Sequence, residues 1–181
     1  FIPWVLPVIA SALAWMYMYY PNIGIINEIL IRLGLIKTRI AWLADIRVAL
    51  ASIIVYNIWQ GFPFHGMVQL SGLQVIPEEL YEAAKMDGAS AIDRFRYITL
   101  HYLHYPVLIC VVLSGIWTFN EFQRVFILTK GGPAKATHTI ATYTYEIAFV
   151  EQQLGRGEAV SLFAAPLLGF LIFMLYKGLG E

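Results

Sequence analysis

Residues 77–96 read Pro77-Glu78-Glu79-Leu80-Tyr81-Glu82-Ala83-Ala84-Lys85-Met86-Asp87-Gly88-Ala89-Ser90-Ala91-Ile92-Asp93-Arg94-Phe95-Arg96, and they carry the signals that start, stop and restart a helix. Pro77 presets φ for a first helical turn, and the carboxylates of Glu78 and Glu79 face the positive end of the helix dipole. Gly88, lacking a Cβ, permits the left-handed conformation that closes a helix. Ser90 with Asp93 at the third position after it is a capping box that opens a second helix. The expectation is an elbow of short helices hinged at Gly88. Its first arm presents Leu80, Ala83, Ala84 and Met86 beside Glu82 and Lys85. Small residues let another surface approach closely, and a carboxylate can meet an arginine fork. A solvated loop between membrane helices would use the same residue types.

On both sides of this stretch the chain turns apolar. A membrane helix needs about 20 consecutive, mostly apolar residues, because hydrocarbon offers the backbone no hydrogen-bond partners. Residues 1–20, 48–76, 97–119 and 159–177 meet that need, with polar stretches at 21–47, 77–96 and 120–158 between them. The first window ends in Trp15, Tyr17, Tyr19 and Tyr20 ahead of Pro21, the composition of an aromatic belt at a lipid–water boundary. The second contains Gly61, Pro63 and Gly66, where a kink or local opening is expected. The fourth closes on Lys177, whose long stem can snorkel. The expected fold class is all-α: a polytopic helical membrane protein, one transmembrane domain over residues 1–181, with four visible spans and the elbow at 77–96. Because the chain opens on Phe1, it is expected to be the C-terminal part of a longer one.

Composition narrows the function. Hydrophobic residues make up 59% and charged residues 13%, against about 45–50% and about 25% in an average soluble domain. Twelve basic and 12 acidic residues leave no positive surplus for phosphates, which excludes nucleic acid as a partner. The single cysteine, Cys110, can form neither an internal disulfide nor a thiolate cluster. His101 and His104 have no third ligand near them in sequence, so no metal site is expected. Glu146, Glu151 and Glu158 are spread along one polar stretch, and a solvated face or a receptor contact suits them better than paired acid–base catalysis. Gly131-Gly132-Pro133 reads as a tight turn. No catalytic residue is expected and the chain is not expected to be an enzyme; no phosphate-binding loop of the form G-x-x-x-x-G-K-[ST] occurs, so it should not itself bind ATP.

Glu82-Ala83-Ala84, then Gly88, then Ile98-Thr99-Leu100 resembles the EAA signature of the membrane subunits of binding-protein-dependent ABC importers. The flanks resemble the carbohydrate-uptake branch, with its larger maltose-type subunit. The matching stretches are Gly24-Ile25-Ile26-Asn27 through Leu33-Gly34-Leu35 to Ala41-Trp42-Leu43-Ala44-Asp45, Leu73-Gln74-Val75-Ile76-Pro77, and Leu128-Thr129-Lys130-Gly131-Gly132-Pro133 with Thr137 and Ala148-Phe149. The family has Pro directly after Ile-x-Leu. Here His101 stands there, and Pro106 is expected to take over part of that break.

The resemblance implies a type I importer transmembrane domain in the cytoplasmic (inner) membrane of a bacterium or archaeon. It places 77–96 in the cytoplasm and 21–47 and 120–158 outside. A count of basic residues alone gives the reverse: the middle stretch holds Lys85, Arg94 and Arg96, the outer two hold Arg32, Lys37, Arg39, Arg47, Arg124, Lys130, Lys135 and Arg156. That tally lacks any helices preceding Phe1, which often dominate orientation, so the ordered motifs take precedence. By the same resemblance, Glu82, Ala83, Ala84, Asp87 and Gly88 are the docking elbow for an ATPase. The implied partners are a second permease subunit forming a heterodimer, two ATPase subunits that hold ATP and magnesium, an extracytoplasmic solute-binding protein, the lipid bilayer and a carbohydrate.

Polar groups inside membrane helices are costly unless they face a cavity or a neighbour. Asn57, Gln60, Gly61 and Phe64 fall on one helical face, and Ser114, Trp117, Thr118 and Glu121 repeat the same spacing on the third window. An aromatic plate with amide and hydroxyl partners suits a sugar ring. By resemblance these are also the solute-lining positions of the larger maltose-type subunit. Ordinary polar bridging between membrane helices would use the same residues. Alternatives are a permease for another solute, such as glycerol phosphate or a peptide, and an ion-coupled secondary transporter. A phosphate-bearing solute asks for basic residues in the spans, and an ion-coupled transporter for buried carboxylates or an inverted repeat.

Overall fold

A computed structural model of the chain describes residues 1–179, and the described residues are helical or irregular, with no strand among them. In chain order the helices are α1 Ile2–Val5, α2 Val8–Met18, α3 Ile25–Arg32, α4 Ala49–Gln74, α5 Glu78–Met86, α6 Ala91–Arg94, α7 Leu100–Phe119, α8 Gln123–Leu128, α9 Ile140–Tyr145, α10 Leu154–Leu162 and α11 Ala164–Leu179. π-helical turns at Phe95–Thr99 and Glu146–Val150 join α6 to α7 and extend α9.

Among the described residues two helical stretches are long and apolar enough to cross a membrane, Ala91–Phe119 and Leu154–Met174. The window expected at 1–20 is divided: Pro7 has no N–H and sits before Val8 in an extended conformation, leaving Val8–Met18 as a shorter apolar helix. The window at 48–76 forms one helix of 26 residues, charge-free but diluted by Asn57, Gln60, His65, Gln69 and Gln74. The opening expected near Pro63 is absent, because α4 runs unbroken through it. No break follows Leu100, where the family has proline, and none stands at Pro106, the residue expected to take over part of it. His101 keeps the N–H that proline would lack, and a π-turn carries Ala91–Arg94 straight into α7, with Pro106 inside the helix.

The chain divides into two compact units. The first comprises Phe1–Gly61 and Trp117–Pro166. Its core is Ala12, Trp15 and Tyr19 of the α2 segment, Ile53 and Tyr56 of α4, and Val125 and Leu128 of α8. Trp15 lies 5.7 Å from the Tyr56 ring and 5.4 Å from Trp59, in tilted pairs. The aromatic belt expected at the end of the first window is therefore split. Trp15 and Tyr19 are buried, with the Tyr19 hydroxyl donating to Ser52 O at 2.8 Å, while Tyr17 and Tyr20 stay exposed. Asn27, wholly buried, knits the segment after α2: its amide nitrogen donates to Pro21 O and Ile40 O, and its oxygen accepts from Ile40 N and Trp42 Nε1. On the surface of that segment the Arg47 guanidinium beside Asp45 pulls its carboxyl down to about 2, and Arg32 lowers Glu28 in the same way.

The second unit comprises Phe62–Ile116 and the chain from Leu167 onward. The C-terminal half of α4 packs on α7 at Gly72, where an added Cβ would lie 2.8 Å from Pro106 Cγ and 2.9 Å from Leu103 Cδ2. The Ser114 hydroxyl meets His65 Nε2 at 3.1 Å between the same two helices. Cys110 is buried in α7 as a small apolar residue would be.

Candidate functional site

The elbow forms as its residues dictate. α5 begins after Pro77 with Glu78 and Glu79 in its first turn and Lys85 in its last, so the charges complement the helix dipole at both ends. It ends in a Schellman motif: Gly88 N donates to Lys85 O at 3.1 Å and Ala89 N to Ala84 O at 2.9 Å, with Gly88 at φ +79°. The Ser90–Asp93 capping box is present, Asp93 N donating to Ser90 Oγ at 3.2 Å and Ser90 N to Asp93 Oδ2 at 3.1 Å. The second arm differs from the expected short helix. It is the first turn of the long helix leading into α7, so the elbow stands on the end of an element of 29 residues.

Internal bonds hold the elbow without burying it. The Tyr81 hydroxyl lies 2.8 Å from Thr99 Oγ1 across the hinge, and Arg94 Nη1 donates to Ala89 O at 2.9 Å on its far side. No residue of α5 is buried, and Met86 is 88% exposed. Glu82, Ala83, Asp87 and Gly88 are exposed and Ala84 is half-buried. On this exposed helix Leu80 and Met86 stand on the surface beside Glu82 and Lys85.

In the other unit the sequence-derived polar positions meet a residue that sequence reasoning missed. Arg124 Nε donates to Gln60 Oε1 at 2.8 Å, and Arg124 Nη1 pairs with Glu121 Oε2. Glu121 Oε1 also accepts the backbone N–H of Arg124 at 2.9 Å, capping the start of α8, and its carbonyl accepts from Thr139 Oγ1 at 2.7 Å. Gln60, only 2% exposed, passes the chain on: its Nε2 donates to Ser11 Oγ at 3.3 Å, and Ser11 Oγ lies 2.8 Å from the Tyr56 hydroxyl. Asn57 and Gly61, flanking Gln60 on α4, are half-buried, and a Cβ on Gly61 would meet open space. Trp117 and Thr118 at the end of α7 are exposed. Phe64 and Ser114 belong to the second unit, where Phe64 packs edge-on to His65.

A further feature lies in the first unit, between α8 and the α9 extension. A cavity of about 540 Å³ is lined by Phe126, Lys130, His138, Tyr145 and Glu146, among others. Glu146 pairs there with His138 at 2.6 Å and with Lys135 at 3.2 Å, and it holds the Lys135 ammonium above its ordinary pKa. The Gly131–Gly132–Pro133 turn beside it is held by Thr137, which bonds Gly132 O at 2.6 Å and Thr129 Oγ1 at 2.7 Å. Gly131, at φ +86°, has His138 packed where a side chain would stand.

Residues 1–179 match the family described as binding-protein-dependent transport system inner membrane component. The chain belongs to that family. It is a membrane protein, and its relatives are named as permeases, transport proteins rather than enzymes. A probable ABC transporter permease protein of Brucella suis biovar 1 is 38% identical over 167 residues, covering 92% of this chain and 58% of its own. The trehalose/maltose transport system permease protein MalF of Thermococcus litoralis is 36% identical over 178 residues, covering 98% and 59%. The fold is also that of a crystallised bacterial ABC transporter involved in import of the acidic polysaccharide alginate, with a TM-score of 0.80 at 22% identity over 98% of this chain and 62% of that one. The chain thus spans about three fifths of the length of the curated relatives it matches.

Proposed function

We propose that this chain is the translocating part of an ATP-driven importer that moves a sugar or oligosaccharide across the cytoplasmic membrane by alternating access. The supporting observation is the elbow: an exposed helix, closed by a Schellman motif at Gly88, followed by the Ser90–Asp93 capping box and braced by Tyr81–Thr99, standing on the end of a long apolar helix. A lever needs that combination, since a push on α5 is passed to α7 only if the hinge does not fold up under it. On this reading residues 77–96 lie in the cytoplasm, Glu82 meets an arginine of an ATPase subunit, and Ala83 and Ala84 permit close approach. ATP and magnesium are held by two such subunits, not by this chain. A second permease subunit, forming a heterodimer, completes the path through the bilayer, and an extracytoplasmic binding protein delivers the solute near the cavity beside His138 and Glu146.

Asn57, Gly61, Trp117 and Thr118 are then the solute-facing groups of the first unit, with Gln60 and Glu121 supporting them, and Phe64 and Ser114 are solute-facing groups within the second. A carbohydrate is favoured by the trehalose/maltose relative and by the pairing of an aromatic plate with amide and hydroxyl groups. The test is Glu82→Ala in the full-length protein, reconstituted with its partner subunits in proteoliposomes. ATP hydrolysis should persist while uptake of radiolabelled maltose and trehalose falls about tenfold, the size of a typical coupling free energy. Unchanged uptake per ATP hydrolysed would remove the elbow from the coupling route.

A further inference from the structure

We infer that Arg124 is a positioning residue of the solute path, holding Gln60 and Glu121 in a single orientation so that the neighbouring solute-facing groups are presented correctly; the inference rests on the transport reading above. Burial supplies the first argument. The Arg124 and Glu121 side chains are 21% and 13% exposed, whereas in the arginine–carboxylate pairs of residues 21–47 the arginine is 41–83% exposed. Withdrawing a pair of charges from water is unfavourable unless both ions are well coordinated, so such a pair marks a place where geometry is held fixed.

Hydrogen-bond direction supplies the second. A guanidinium only donates, so the group facing Arg124 Nε must be Gln60 Oε1, and the amide nitrogen is forced toward Ser11 Oγ at 3.3 Å and Leu6 O at 3.5 Å. The reverse orientation would set an N–H₂ against the guanidinium. Arg124 therefore decides which way a buried amide on α4 points. The same residue holds Glu121 at both oxygens, one on Arg124 Nη1 and one on the Arg124 backbone N–H.

Connectivity supplies the third. Gln60 lies on the polar face of α4 that also carries Asn57 and Gly61, and Glu121 follows α7 just after Trp117 and Thr118. One guanidinium joins the two strips, and Thr139 fixes the far side of Glu121. Because its charge is matched by Glu121, Arg124 is not a cation waiting for an anionic solute. Its part is to hold neighbours still.

The test compares the wild-type full-length complex with Arg124→Lys and with the double variant Arg124→Met/Glu121→Gln, in proteoliposomes, using radiolabelled maltose and trehalose as probes. Lysine keeps the charge but cannot donate in two fixed directions, and the double variant removes both charges together, so neither leaves a buried ion unpaired. The expected result is a rise in KM of about tenfold, the loss of one charge-assisted hydrogen bond, with a much smaller change in kcat and an unchanged melting temperature in detergent. A wild-type KM in both variants, or KM, kcat and melting temperature deteriorating together, overturns the positioning role. A wild-type complex that takes up neither sugar overturns the transport reading beneath it instead.

Discussion

The Tyr81 hydroxyl lies 2.8 Å from the Thr99 hydroxyl, linking the exposed helix of the elbow to the π-turn that leads into α7. The hinge at Gly88 lies between them, so this bond closes a triangle whose other sides are covalent. Tyr81→Phe removes the bond and keeps the ring. Losing one partly buried hydrogen bond should cost about 1 kcal/mol. Amides 78–89 should then exchange with deuterium about fivefold faster, while those of α7 keep their rates. Equal protection in the variant would mean that the bond does not brace the elbow.

Gly88 tests the hinge itself. At φ +79° it has nothing within 4 Å of where a Cβ would stand, so any penalty for a side chain is conformational and not steric. Gly88→Ala should destabilise the elbow by about 1 kcal/mol, and Gly88→Asn by less, because asparagine tolerates the left-handed region better than other side chains do. The comparison is read from exchange of the Ala89 amide, which bonds Ala84 O in the intact motif. Indistinguishable variants would show that the turn can form without left-handed backbone.

The segment after α2 should respond to acid in a defined window. Asp45, lowered to about 2 by Arg47, has a folded-state pKa below its unfolded value, so its contribution is complete above the ordinary carboxylate value of about 4 and disappears as pH falls through about 2. Because Arg47 is exposed to water and Asp45 only half-buried, added salt should weaken the effect. An NMR titration of the Asp45 side chain, with and without salt, checks it; a midpoint near 4 would show that the pair does not persist in solution.

Features encoded over a few residues were legible in the sequence, and those set by distant partners were not. The elbow could be read from Pro77, Gly88, Ser90 and Asp93 because a helix cap is settled within one turn of chain. The aromatic residues ending the first window could not be sorted. Whether Trp15 and Tyr19 face lipid or core depends on Tyr56, Trp59 and Val125, far along the chain, and an aromatic ring suits either environment. Arg124 escaped notice because it lies just outside an apolar window, and its partner Gln60 is 64 residues earlier. The unbroken passage through Pro63 was equally hidden, since proline removes one backbone bond and only the packing around it decides whether the helix opens.

The π-turn at Phe95–Thr99 carries one consequence beyond joining two helices. Such a turn takes up one residue more than a regular helix would, and each helical residue advances the azimuth by about 100°. Everything on the Ala91 side is therefore rotated by more than a quarter revolution against the face that α7 would otherwise dictate. Excising a single residue here would leave both helices intact yet swing the elbow to a different compass bearing, and insertion or loss of one codon at this point would be enough to steer where the chain offers its grip.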